Sequence, residues 1–194
     1  MSSQFSALLL AGGKSRRMQA DKAFIEINGE PLWQRQLELL KSLHPQQLFL
    51  AGPPRSEWAF ADAELLPDAH PGSGPLGGVV AGLRKCTAPL LLVLAVDLPC
   101  MSAGCLHRIL GLTSSEQGVA PVTDCIEPLA AVYPIAARRL AEEQLAAGEY
   151  AMRNLVRRCV HEGLMRELPI PEFERTLFLN VNTPAELRHA LLQV

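Results

Sequence analysis

Apolar positions along this chain fall into two patterns. The first is the short segment rich in apolar residues, at 5–11, 47–51, 64–67, 89–96, 118–122, 129–133, 164–168 and 177–179. Segments of this length predict strands, and those that are apolar without alternation predict strands covered on both faces. The run 89–96, Pro-Leu-Leu-Leu-Val-Leu-Ala-Val, is the most apolar and predicts a central strand. The second pattern repeats every three or four residues. Leu32, Trp33, Gln36, Leu37, Leu39, Leu40 and Leu43 predict an amphipathic helix with Pro31 at its first position. Similar spacing predicts helices over 76–86, 102–110, 135–147 and 151–160, with Gly148 ending the fourth. A last helix is predicted from Thr183 to the end, with Thr183 as cap, Pro184 at the first position and Glu186 at the capping-box position. Between the first run and the first helix, 23–27 reads as a short extended stretch closed by the turn pair Asn28-Gly29.

Strand, helix and strand have followed one another by residue 51, which predicts a right-handed crossover and parallel pairing. The fold class expected is α/β: a three-layer, Rossmann-like, mostly parallel sheet with helices on both faces. The second half carries more helix and more connections of antiparallel type. The chain of 194 residues is expected to be a single domain.

Composition narrows the function. At 48% hydrophobic and 20% charged residues the chain is an ordinary globular protein, and a net charge of −2 gives no global field for nucleic acid or membrane. The cations are local instead: Lys14, Arg16, Arg17 and Lys22 follow Gly12-Gly13 at the end of the first strand. A glycine pair lets the backbone turn tightly with its amides toward an anion, so this stretch reads as a phosphate-binding loop. A solvated basic loop fits the same charges equally well. The spacing matches neither Gly-x4-Gly-Lys-Ser/Thr nor Gly-x-Gly-x-x-Gly. At the end of the central run, Asp97-Leu98-Pro99 sets a carboxylate where open α/β sheets bind ligands; it suits Mg2+, or a turn. Asp68, at the end of the third run, divides between a cap and a nucleotide contact. Asp124 and Glu127 read as turn acids that face substrate or, in the plainer reading, solvent, and Arg153 and Arg157 share one helical face, for an acceptor's phosphate or for solvent. Asn180 and Asn182 point the same way from an extended segment and suit oxygen-rich ligands or a turn. Five cysteines, an odd number without Cys-x-x-Cys, exclude a disulfide framework and a structural zinc site. No secretory leader and no run of spanning length is read, so a cytoplasmic protein without membrane association is expected.

Leu-Ala-Gly-Gly-x-Ser-x-Arg-Met at 10–18, followed by Asp21-Lys22, resembles the signature of nucleotidyltransferases, and most of all the molybdenum cofactor guanylyltransferases. The likeness continues through Asn28-Gly29-Glu30-Pro31-Leu32, Gly74-Pro75-Leu76-Gly77-Gly78, Asp97-Leu98-Pro99 and Asn180-Val181-Asn182-Thr183-Pro184. The resemblance implies transfer of GMP from GTP to the terminal phosphate of molybdenum-molybdopterin, with Mg2+ and release of pyrophosphate. It implies that Leu10, Ala11, Gly12, Gly13 and Ser15 bind the nucleotide, Lys22 its phosphates, Asp68 the nucleoside, and Asp97 both GTP and Mg2+. Lys22, Arg16 and Asp97 are then the catalytic residues, and Asn180 and Asn182 lie near the acceptor. On this reading residues 1–100 are the nucleotide-binding part and 101–194 the acceptor-binding part of one monomeric domain. Molybdoenzyme apoproteins or their chaperones are the expected partners. The sequence departs from the family in having Gln19 where glycine follows Arg-Met, and Ala51 where an amide side chain often ends the second strand. A cytidylyltransferase on the same cofactor is the nearest alternative, but such relatives tend to carry Leu-Ala-Ala-Gly. A sugar-nucleotide pyrophosphorylase, usually a longer chain, and a non-catalytic nucleotide-binding module that delivers cofactor are the others.

Overall fold

The apolar run at 89–96 lies at the middle of the molecule. The computed structural model describes residues 4–12, 14–15, 20–67 and 70–181. Among these, seven strands form one sheet: β1 (Phe5–Leu10), β2 (Leu48–Ala51), β3 (Glu64–Leu66), β4 (Leu90–Ala95), β5 (Gly118–Val122), β6 (Ala130–Pro134) and β7 (Met165–Pro169). Their order is β7-β5-β6-β4-β1-β2-β3. β1 pairs in parallel with β2 and β4, and β2 with β3. β6 runs antiparallel to both β4 and β5, and β7 closes the other edge parallel to β5. Every residue of β1 and of β4 is buried, which is why both strands read as unbroken apolar runs.

Side chains alternate across the sheet into two cores. Ala7, Leu9, Leu92 and Leu94 face α1 (Leu32–Lys41), α3 (Ala103–Gly111) and Trp58. Leu8, Leu10, Leu91 and Val93 face α2 (Pro75–Lys85), α4 (Ala137–Ala146) and α5 (Met152–His161). The result is the three-layer, mostly parallel α/β fold expected. Ser102 caps α3 by accepting the Cys105 N–H at 3.3 Å, and Pro75 opens α2. Among the described residues no helix is long and apolar enough to cross a membrane.

Most element ends lie within a residue or two of expectation, and local structure departs from it further at 23–24, at Pro31 and at 177–179. Pro31 is the cap of α1 instead of its first residue, because it still pairs with Glu26 in a small hairpin turning at Asn28-Gly29. Ala23 and Phe24 are not extended; they belong to a 3-10 turn, Lys22–Phe24, which buries Ala23 completely. The run 177–179 is not a strand. The 3-10 helix Glu172–Phe178 takes its place and turns Phe178 into the core, while Arg175 pairs with Asp124 at 2.8 Å and Arg108 pairs with Glu174. Three apolar residues suffice for either geometry. The helix expected from Thr183 lies outside the described residues.

All five thiols are reduced, and Cys86, Cys100, Cys105 and Cys159 are buried. Burial pushes the Cys159 thiol up to about 12. Only Cys125 is partly exposed. Brief iodoacetamide treatment of the native protein should therefore label Cys125 ahead of the other four, as peptide mass mapping will show. Equal labelling of all five would mean that the core opens readily.

Candidate active site

β1, β2 and β4 end side by side. Leu10 is in register with Ala51 on one side and Ala95 on the other. The ladder extends one step further: Ala11 N–H donates to the Ala51 carbonyl at 2.8 Å, and Val96 N–H to that of Leu10 at 3.0 Å. Three strands therefore stop together, and the chain leaves each of them into a loop. Over these ends opens a cleft of about 740 Å³. Its floor is Leu10, Gly12, Ala51 and Gly52; the segment from Pro71 to Pro75 and Gly78 of α2 form one wall. Leu129, Lys22 and Asp97 stand on the β4 side. Among the described lining residues only Lys22 and Asp97 carry polar side chains.

Two glycines make the cleft possible. A Cβ on Gly52 would stand 2.7 Å from Trp58 Cη2 and 3.0 Å from the Gly12 nitrogen. A Cβ on Gly78 would stand 2.6 Å from Leu10 Cδ2. Gly78 so lets the first turn of α2 lie against the floor, where helix amides favour an anion. Gly52→Ala must displace either the Trp58 ring or the backbone of the first loop. It is expected to cost about 1–3 kcal/mol of stability, measured by urea denaturation, and to weaken nucleotide binding. An unchanged midpoint would show that the two loops slide apart freely.

Lys22 and Asp97 meet at the cleft wall. The Lys22 ammonium donates to Asp97 Oδ2 at 2.7 Å, with the two side chains 14% and 18% exposed. Lys22 arrives on the 3-10 turn anchored by Ile25 N–H on the Lys22 carbonyl. Asp97 follows β4 by two residues, and its carbonyl accepts the Val181 N–H at 2.9 Å. Val181 is thereby tied to the backbone of Asp97. Asn180 is exposed there, and Val181 is buried with Cys100.

Of the other expected residues, Leu10 and Gly12 line the cleft, while Ala11 is buried with its N–H spent on the ladder. The Ser15 backbone pairs with Ala20 in a two-residue ladder. Gly13, Arg16, Gln19, Asp68 and Asn182 lie outside the described residues. Ala51 puts only a methyl at its end of the floor. Asp124 is held by Arg175, and Glu127 accepts the Thr123 hydroxyl, so both acids are engaged away from the Lys22–Asp97 pair. Arg153 donates to the Ile126 carbonyl at 3.2 Å and to Cys125 Sγ at 2.9 Å, tying α5 to the β5–β6 turn; Arg157 reaches Asn154. Sequence reasoning missed Gly52, Pro53 and Leu129 as parts of the cleft. The Gly-Pro-Pro at 52–54 was the available signal for the first two.

Among the described residues no group of three or more His, Cys, Asp or Glu is placed to hold a metal ion. Mg2+ does not need such a cage. It is commonly held by one or two carboxylates together with substrate phosphates and water, and Asp97 at the cleft wall fits that role.

Comparison with known proteins matches residues 7–163 to the model of the MobA-like NTP transferase domain. The chain belongs to this family. The matched span runs from β1 to α5 and contains the whole cleft. A relative from Opitutus terrae, named a probable molybdenum cofactor guanylyltransferase, is 37% identical, with 96% of each chain covered. A molybdenum cofactor guanylyltransferase of Xanthomonas euvesicatoria is 31% identical over 94% of this chain and 92% of its own. The crystal structure of molybdopterin-guanine dinucleotide biosynthesis protein A from Archaeoglobus fulgidus shares the fold, with a TM-score of 0.78 at 24% identity over 96% of this chain and 97% of the other. As a MobA-like transferase the chain is a nucleotidyltransferase, and the cleft over β1, β2 and β4 lies at the strand ends where open α/β sheets bind ligands.

Proposed function

We propose that this protein transfers GMP from GTP to the terminal phosphate of molybdenum-molybdopterin, releasing pyrophosphate and forming the guanine dinucleotide of the cofactor. The observation that carries this reading is the Lys22–Asp97 pair beside an otherwise apolar cleft, in a chain that matches guanylyltransferases along nearly its whole length. The apolar floor of Leu10, Ala51 and Gly52 suits a flat base, and the backbone of the first loop offers it polar groups. The triphosphate lies along 12–16 toward Lys22. Gly13, Arg16 and Asp68 take part on the strength of their motifs alone.

The acceptor phosphate attacks the α-phosphorus in line, the bond to the β-phosphate oxygen breaks, and pyrophosphate leaves. A phosphate monoester is already mostly ionised near neutral pH, so no general base is required. Negative charge gathers on the equatorial and leaving oxygens, and a positioned ammonium lowers its energy. An ammonium has three N–H donors, so Lys22 can keep Asp97 while bonding phosphate oxygens. Asp97 would hold Mg2+, which when bound supplies charge neutralisation across neighbouring phosphate oxygens. The acceptor enters from the side of residues 101–194, past Asn180 and Asn182. The protein works as a cytoplasmic monomer that passes its product to molybdoenzyme apoproteins or their chaperones.

The test is pyrophosphate release by the purified protein with Mg2+ and GTP, CTP, ATP or UTP, with and without molybdenum-loaded molybdopterin. Release with GTP that depends on the pterin is expected. Release with CTP alone would overturn the base, and tight GTP binding without release would move the protein to a delivery role.

A further inference from the structure

The segment after β4 is clamped at two successive carbonyls. Val181 N–H holds that of Asp97 at 2.9 Å, and the Gln36 side-chain amide holds that of Leu98 at 2.7 Å. Gln36 lies in the middle of α1, fully buried, and reaches a residue 62 positions away. Buried glutamine is costly unless its amide is used, and here the donor goes to the turn that carries the cleft's carboxylate. The other end of α1 matters as much. Its first residue, Leu32, donates its N–H to the Ile25 carbonyl at 2.9 Å, and Ile25 N–H holds the Lys22 carbonyl at 3.2 Å. α1 is therefore a spacer tied at its start to the segment carrying Lys22 and, one turn later, to the segment carrying Asp97.

We propose that Gln36 is a positioning residue for the transfer reaction: through the Leu98 carbonyl it fixes the direction of the Asp97 carboxylate relative to Lys22. The proposal rests on the guanylyl-transfer reading for its kinetic test, though not for its binding test. Gln36 holds the oxygen of the peptide between Leu98 and Pro99, and Val181 holds that of the preceding peptide, between Asp97 and Leu98. Loss of either lets the carboxylate swing while the strand beneath stays in place. A misplacement of about 1 Å in a transfer site costs on the order of a hundredfold in rate.

Gln36→Met tests this. The fold should survive, because the Leu98 carbonyl also accepts the Met101 N–H at 3.1 Å, and Gln36 Oε1 has no partner among the described residues. Gln144→Met is a matched control: Gln144 is also buried, also donates to a backbone carbonyl, that of Ala151, and lies on α4 away from the cleft. Two quantities are read on both variants, with the thermal midpoint as the check on folding. The first is the kcat and KM of pyrophosphate release. The second is Mn2+ binding in the presence of a non-hydrolysable GTP analogue, followed by electron paramagnetic resonance. Gln36→Met is expected to lower kcat about tenfold or more with a small change in the KM for GTP, and to weaken Mn2+ binding several-fold. Gln144→Met should change neither. Gln36→Leu, which removes the amide in another shape, should repeat the result. Equal behaviour of the Gln36 variants and the control, at equal stability, would overturn the proposal. Should the unmodified protein release no pyrophosphate, the function reading falls by itself, and the Mn2+ titration still decides the role of Gln36.

Discussion

Asp97→Asn is expected to lower the rate of guanylyl transfer about a hundredfold or more, with the fold unchanged. The substitution keeps the size and hydrogen-bonding shape of the side chain and removes one negative charge. That charge has two uses in the cleft. It faces the Lys22 ammonium at 2.7 Å, and it is the sole carboxylate among the described lining residues, so it is the natural anchor for a divalent cation carried in with the triphosphate. An amide oxygen still accepts from Lys22 but attracts Mg2+ far less. The defect should therefore shrink as Mg2+ is raised, and nucleotide binding without the metal should change little. Circular dichroism should match the parent, because Asp97 borders the cleft and belongs to neither core. A near-normal rate at low Mg2+ would remove Asp97 from the metal role and require a residue outside the described set.

Much of this arrangement was legible in the sequence, for a simple reason. β1 and β4 are covered on both faces, so burial wrote itself into them as unbroken apolar runs, and their ends were marked by Gly12 and Asp97. Such strand ends are where α/β sheets bind ligands, so the two sides of the site could be named before any geometry was known. What sequence could not supply was contact at long range. Gln36 was placed on the inward face of its helix by spacing alone, but its partner, the Leu98 carbonyl, is a backbone atom that leaves no trace in a side-chain pattern. The Val181 N–H on the Asp97 carbonyl is the same kind of link. The antiparallel β6 was expected only as a tendency of the second half; its register against β4 depends on pairing over some forty residues. The segment 177–179 failed for the opposite reason: its pattern was local but too short to separate a strand from a 3-10 turn that buries Phe178.

Lys22→Ala should produce a loss as large as that at Asp97, and the two should not multiply. Lys22 is the one cationic side chain among the described residues of the cleft lining, and in the proposed reaction it meets the charge that grows on the phosphates. Removing a single positioned donor of this kind lowers kcat about 10²–10³-fold. The KM for GTP should rise too, since the same ammonium meets the triphosphate before reaction. Lys22→Arg keeps the charge but exchanges a compact ammonium for a longer planar fork, so it should recover only part of the rate. Stability should fall by no more than about 1 kcal/mol, because both partners keep some contact with water. The double variant Lys22→Ala, Asp97→Ala decides whether the pair acts as a unit. Each single change breaks the same Lys22–Asp97 contact, so part of each loss is shared, and the combined loss should fall well short of the product. Full multiplicativity in kcat/KM would mean that Lys22 and Asp97 act on the phosphates independently and that their contact plays no part in transfer.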